Sequence, residues 1–339
     1  MGNTEQGTRF LLIAASLVIV IAGLRAAGTV VLPFLLALFL AIVTLPILVW
    51  LKSKRIPTAV AVLFTVLANM AALAAIVLIV SGSVESFTQE APKYAERLQQ
   101  MAAALIARLK SWGVDIPDYM PRKIINPGAV MGLVSWTVNS VAAVMSNIVL
   151  VLLTVIFMLF EITQFPDKLQ LALGQQGKGS DNFAKIILEV QRYLGMKTLI
   201  SLATGVLIGV WVAILGVDFP VLWGLIAFLF NYIPNIGSTL AAVPTVLLAL
   251  VQLGPGWAAM VGLGYVAVNV GMGTILEPYL MGRTLGLSTL VIFLSLVFWG
   301  WLWGPMGMLL SVPLTMIIKI LLENTEDFRW VAVLLGPSP

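Results

Sequence analysis

The chain is 339 residues long, 60% hydrophobic and 10% charged, with 19 Lys and Arg against 15 Asp and Glu, a formal net charge of +4 and a mean hydropathy of +1.05. A water-soluble globule of this size cannot cover so much apolar surface, so the composition excludes one and predicts an all-α polytopic membrane protein. Cys and His are absent, which removes disulfides, thiolate and imidazole metal sites, Ser/His triads and histidine proton relays, and a basic excess spread over segment ends argues for membrane orientation rather than nucleic acid.

A hydrocarbon core of about 30 Å takes roughly 20 helical residues. Residues 10–24, 29–51, 58–80, 141–160, 198–216 and 257–275 come close to that length without an internal charge, which predicts six full spans. The first reads as a retained span, since no small-residue cleavage site follows it and the second begins almost at once. Lys52, Lys54 and Arg55 follow span two, and Lys168, Lys178, Lys185, Arg192 and Lys197 lie between spans four and five. By the excess of Lys and Arg in cytoplasmic connections, both links and both termini are cytoplasmic. Residues 81–140, with balanced charge, then form an extracytoplasmic helical domain.

The expected division is a three-span region (1–80), the outer domain (81–140), the fourth span (141–161), a cytoplasmic amphipathic linker (162–196), a transport core (197–327) and a cytoplasmic tail (328–339). In the outer domain, Val84, Phe87, Ala91, Tyr94, Leu98, Met101 and Leu105 keep a 3-4 spacing. Pro92 suits the start of its regular part, because proline is tolerated in a first turn. Such a seam wants a partner, which is either its own subunit, the membrane surface or a neighbouring subunit. In the linker, Gly174, Gly177 and Gly179 precede Ser180, a candidate cap for a helix with Phe183, Ile186, Ile187, Val190, Tyr193 and Leu194 on one face.

Residues 220–252 are apolar on both sides of Asn231-Tyr232-Ile233-Pro234-Asn235-Ile236-Gly237. Each arm is too short to cross a bilayer, so a re-entrant or broken helical hairpin is predicted, with its turn covered by protein or facing a water-filled cavity. Residues 288–322 repeat the pattern: after Gly304, Pro305, Gly307 and Pro313 fall where Pro234, Gly237 and Pro244 fall in the first hairpin, with a slip of one residue. The predicted topology brings the two hairpins in from opposite sides, the layout of inverted-repeat transporters with a site near the midplane. The alternative is two kinked, tilted spans.

The candidate binding and gating residues follow from this. Asn231, Asn235, Ser238 and Thr239 offer hydrogen bonds to a polar uncharged solute, or else satisfy backbone groups freed at Pro234. Asn269, Gly273 and Glu277 lie at i, i+4 and i+8 on one face of a helix that Pro278 ends. Glu277 is either a functional carboxylate at the membrane edge or the partner of Arg283 in an interfacial ion pair. No apolar stretch carries an internal Asp or Glu, which leaves cation/proton exchange with little but Glu277. A membrane enzyme lacks a close polar pair within any span, so no enzymatic role, catalytic residue, metal or cofactor is expected.

Three motifs in order resemble the AI-2E (autoinducer-2 exporter) membrane family: residues 231–237 with Val243-Pro244; Leu276-Glu277-Pro278-Tyr279-Leu280-Met281-Gly282-Arg283-Thr284-Leu285-Gly286; and Gly304-Pro305-Met306-Gly307 running to Val312-Pro313. Asn235 and Ser238 depart from the family's usual hairpin, where a bulky residue and a proline are expected. The resemblance implies a bacterial inner-membrane permease that forms homo-oligomers, with a pentamer among the possibilities. It implies export of a furanone-type signal by some members and sodium (lithium)/proton antiport by others. The readings are therefore an exporter of an autoinducer-2-like solute with a quorum-sensing role, an antiporter or, outside transport, a scaffold protein.

Overall fold

The computed structural model describes residues 2–112, 132, 135, 148–173, 178–234, 236–281, 286–323, 325 and 328–336. Its elements are α1 (Gly2–Ala26), α2 (Gly28–Ser53), α3 (Thr58–Ser111), α4 (Ile148–Leu173), α5 (Lys178–Ile214), α6 (Pro220–Phe230), α7 (Gly237–Leu253), α8 (Pro255–Val268), a π-helical segment (Asn269–Leu276), α9 (Glu277–Met281), α10 (Thr289–Glu323) and α11 (Arg329–Leu335). Among the described residues no strand occurs. Gly28–Ser53, Thr58–Ser111, Leu188–Ile214 and Pro255–Leu280 are long and apolar enough to cross a membrane, as is Thr289–Glu323 by length and composition alone, since it is broken at Trp303 and Gly304, while Ile148–Ile162, Pro220–Phe230 and Gly237–Leu253 are apolar but shorter. The chain is an all-α polytopic membrane protein.

Two expected boundaries are absent. α3 runs unbroken through Pro92, which lies inside the helix rather than at its start; one missing N–H does not end a helix whose residues on both sides pack on the same core. α5 joins the predicted linker helix to the fifth span, with Ser180 inside it instead of capping it. Because a charge ends an apolar window, a division at Lys197 is expected, but a charge with a partner such as Glu277 does not end a helix. Residues 113–131 and 174–177, which include two of the expected hinge glycines, lie outside the described residues.

The chain divides into two units. Unit 1 comprises Met1–Asn69, Asn147–Leu194 and Leu285–Pro339. Its core sets Ala37, Ala41, Leu45 and Leu48 of α2 against Val62 and Val66 of α3 and Val151, Val155 and Leu159 of α4. Alanines one turn apart let the α2 backbone approach its neighbours, as small residues do in membrane helix packing. Asn69 is buried here and donates to Thr44 Oγ1 at 3.2 Å and to its own turn at Thr65 O at 3.0 Å.

Unit 2 comprises Met70–Ser146 and Gly195–Thr284. Ile208 and Val212 of α5, Trp223 and Ile226 of α6, Leu248 of α7 and Tyr265 of α8 form its core together with Phe87, Tyr94 and Leu98 of α3. The apolar seam of the outer helix is thus covered by its own chain at these three residues. Within one protomer they are 3–7% accessible, which fits the alternative in which the seam packs on its own subunit at these positions.

Candidate functional site

Both broken segments fold back on themselves. In the first, α6 and α7 pack against each other across the turn at 231–236, and a Cβ added to Gly237 would overlap Phe230 O. In the second, Trp303 (φ −131°, ψ 15°) and Gly304 (φ 66°, ψ −148°) interrupt α10. Ser295 Oγ there donates to Ser311 O at 3.0 Å and lies 2.6 Å from Thr315 Oγ1, to which Trp299 Nε1 donates at 3.1 Å. Sixteen residues of straight helix would separate these groups by about 24 Å, so the arms are antiparallel. Gly304 supplies the positive φ that other residues resist. Gly307 sits on Trp299 O as Gly237 sits on Phe230 O, so the glycines of the Gly/Pro match seen in the sequence share a structural role.

In unit 1 the turn of this second hairpin is braced by the end of α1. Trp303 Nε1 donates to Leu24 O at 3.0 Å, and the Arg25 guanidinium lies 5.0 Å from the centre of the Trp301 ring. Pro313 is buried in the second arm, while Pro305 is exposed at the turn and Gly304 is half-buried.

In unit 2 the first hairpin is pressed onto α5. Gly205 and Gly209, one turn apart, meet Gly224 of α6; a Cβ on Gly205 would stand 2.7 Å from Gly224 O, and one on Gly224 2.7 Å from Gly205 O. Only glycines permit this approach. It brings a polar stripe of α5 to the hairpin turn: Lys197, Ser201 and Thr204 recur at i, i+4 and i+7, with Thr198 beside them. Asn231 Nδ2 donates to Ser201 Oγ at 2.9 Å, and Tyr232 OH donates to Thr198 Oγ1 at 2.7 Å. Thr204 Oγ1 is buried with no hydrogen-bond partner among the described residues. Deeper in the unit, Thr245 Oγ1 and Tyr265 OH lie 2.9 Å apart.

Glu277 begins α9, and its Oε1 lies 2.6 Å from Lys197 Nζ. The residues before it, Asn269–Leu276, are π-helical. Their i→i+5 bonding means that Asn269, Gly273 and Glu277 do not form the α-helical stripe read from their spacing, and such segments occur frequently at functional sites. Asn269 is half-buried and Gly273 exposed.

Of the residues singled out in the sequence, Asn231 and Gly237 are buried at the first turn, Pro234 and Ser238 are half-buried, and Thr239 is exposed. Asn235 and Arg283 lie outside the described residues; the partner that the structure gives Glu277 is Lys197. Sequence reasoning missed Lys197, Thr198, Ser201, Thr204 and Tyr232. A signal is present, since four polar residues at helical spacing open an otherwise apolar span, but the position of Lys197 assigns it to the cytoplasmic link.

Residues 14–327 match the family described as AI-2E family transporter. The AI-2 transport protein TqsA of Escherichia coli K12 is 41% identical over 333 residues, 98% of this chain and 97% of its own. The putative transport protein YhhT of the same organism is 37% identical over 334 residues, 98% of this chain and 96% of its own. A putative transport protein of Haemophilus influenzae is 38% identical over 346 residues, 99% of this chain and 98% of its own. A match over nearly the whole length, the three motifs and the paired helical hairpins agree: the chain belongs to the AI-2E transporter family.

Proposed function

We propose that the chain exports a small, polar, uncharged solute of the autoinducer-2 kind across the bacterial inner membrane, as a homo-oligomeric permease with both termini in the cytoplasm. The observation that carries this reading is the chemistry at the first hairpin turn. Asn231, Tyr232, Thr198, Ser201 and Thr204 present amide and hydroxyl groups in an apolar surround, and the nearby carboxylate of Glu277 is already matched by Lys197. A neutral hydroxylated solute can exchange hydrogen bonds with such groups, whereas a free ion would meet no uncompensated charge. The name of the 41% identical relative TqsA points to the same solute class.

The test is flux. Purified protein in proteoliposomes should release entrapped autoinducer-2 faster than protein-free liposomes, and Asn231→Leu should slow it by at least about tenfold, the scale of one buried hydrogen bond left unmade. No flux above that of the liposomes would remove the reading and favour a scaffold role.

The partly buried Lys197–Glu277 pair favours a second reading, cation/proton exchange, because paired ionisable groups inside membranes often mark ion pathways. Sodium-dependent proton movement that vanishes in Glu277→Gln, without autoinducer-2 flux by the wild type, would select it.

A further inference from the structure

We infer that a polar cavity in unit 2, at the end of the first hairpin opposite its turn, is a docking site for small neutral solutes bearing adjacent hydroxyl groups. The cavity has a volume of ≈ 280 Å³ and is lined by Glu90, Lys93, Tyr94, Arg97, Asp218 and Gln252, which suits a compact ring rather than a large ligand. Four of these residues come from the part of α3 beyond its first half, Asp218 from the link between α5 and α6, and Gln252 from the end of α7.

The geometry of Asp218 is fixed from three sides. Its backbone N–H donates to Gln252 Oε1 at 2.9 Å, its carbonyl accepts Trp223 Nε1 at 2.9 Å, and its Oδ2 accepts Tyr94 OH at 2.6 Å. Gln252 is held in turn, donating from Nε2 to Gly216 O at 3.2 Å. The next residue, Phe219, sits at φ 61°, ψ 45°. A bulky residue in the left-handed region is a strained arrangement that persists where the surroundings enforce it, often at binding sites.

What these groups leave open defines the ligand. Among the described residues, Oδ1 of Asp218 has no partner, and Arg97 uses NH1 on Gln252 O at 2.8 Å while its other donors are unengaged. Glu90 and Lys93 pair with each other at 2.8 Å. Two carboxylates and two cations make the lining neutral overall, so neither a lone anion nor a lone cation is favoured. A pair of adjacent hydroxyls fits: one O–H donates to the carboxylate while its neighbour accepts from the guanidinium. This rests on the transport reading only for how the site is used, as a station on the solute's route.

The test uses the full chain in lipid nanodiscs and a minimal cyclic cis-diol, tetrahydrofuran-3,4-diol, with 3-hydroxytetrahydrofuran as the single-hydroxyl control and glycine as a zwitterionic one. Saturation-transfer NMR should detect the diol and not the two controls. Asp218→Asn and Arg97→Gln should each weaken diol binding by about tenfold, with unfolding temperature and elution volume reporting that the protein remains intact. If Asp218→Asn fails to fold, Arg97→Gln alone decides the matter, since Arg97 is exposed on α3. Equal binding by wild type and variants, or a preference for glycine or the mono-alcohol, would overturn the proposal. Autoinducer-2 flux measured alongside separates the two readings: flux without diol binding removes this site and leaves the exporter, whereas diol binding without flux keeps the site and removes the exporter.

Discussion

Lys197 Nζ and Glu277 Oε1 lie 2.6 Å apart, although 80 residues separate them in the chain, and only 3% of the lysine side chain and 20% of the glutamate side chain are accessible. Either ion alone at that depth loses several kcal/mol of hydration. The contact also joins the middle of α5 to the residue that follows the π-helical segment, so it ties the helix that holds the first hairpin to the helix that leaves it.

Removing one partner should therefore cost more than removing both. Glu277→Gln is expected to destabilise the protein by about 3–5 kcal/mol, as breaking a buried pair does, and Lys197→Met by a similar amount. The double variant should lose less than either single variant, so its loss falls short of their sum by more than about 3 kcal/mol. Denaturant titration of the four proteins in one detergent measures this; strict additivity would mean that the pair contributes no coupling.

The two hairpin glycines give a sharper steric prediction. Gly237→Ala drives its methyl into Phe230 O and Gly307→Ala into Trp299 O, backbone atoms that cannot swing aside. Each should cost about 1–3 kcal/mol or more and depress flux, because the hairpin must open to fit the methyl. Gly256→Ala is the control: nothing lies within 4 Å of its added Cβ, and its effect should stay within about 1 kcal/mol. The unfolding temperature of purified protein separates the two classes.

These cases show what could be read from sequence. Apolar runs near bilayer length and the shared Gly/Pro pattern were enough to place both hairpins, because length and backbone chemistry are local properties. The Lys197–Glu277 pair was not legible: charge near a span end ordinarily means solvent, and only the fold brings a carboxylate 80 residues away to neutralise it. Pro92 misled for a related reason, since a helix-breaking residue was read without the core that holds α3 on either side of it. The π-helical turn before Glu277 has no composition of its own, so the spacing of Asn269, Gly273 and Glu277 was read with the wrong period.

The covered seam on α3 changes what a charge there should do. Leu98 is 7% accessible and packs in the core of unit 2 with Phe87 and Tyr94. Leu98→Asp should destabilise the protomer by several kcal/mol, the cost of an unpaired buried carboxylate, and so lower its unfolding temperature. A lower oligomeric mass by light scattering in detergent, with protomer stability unchanged, would instead place Leu98 at a subunit interface.

The turn of the first hairpin can be tested directly because the chain has no cysteine. Ser238 is half-buried one residue after Gly237, whereas Ser201 is buried and accepts the Asn231 amide. Backbone that leaves the helix at membrane depth must be covered by protein or face water. If the turn faces a solute path, Ser238→Cys should react with a charged, membrane-impermeant thiosulfonate, and saturating autoinducer-2 should slow the reaction. Ser201→Cys should stay inert, since its position lies behind the turn and out of solvent. Protection of Ser238→Cys with and without solute, in detergent and in liposomes alike, would mean that protein alone covers the turn, and the solute path would then have to run elsewhere in the molecule.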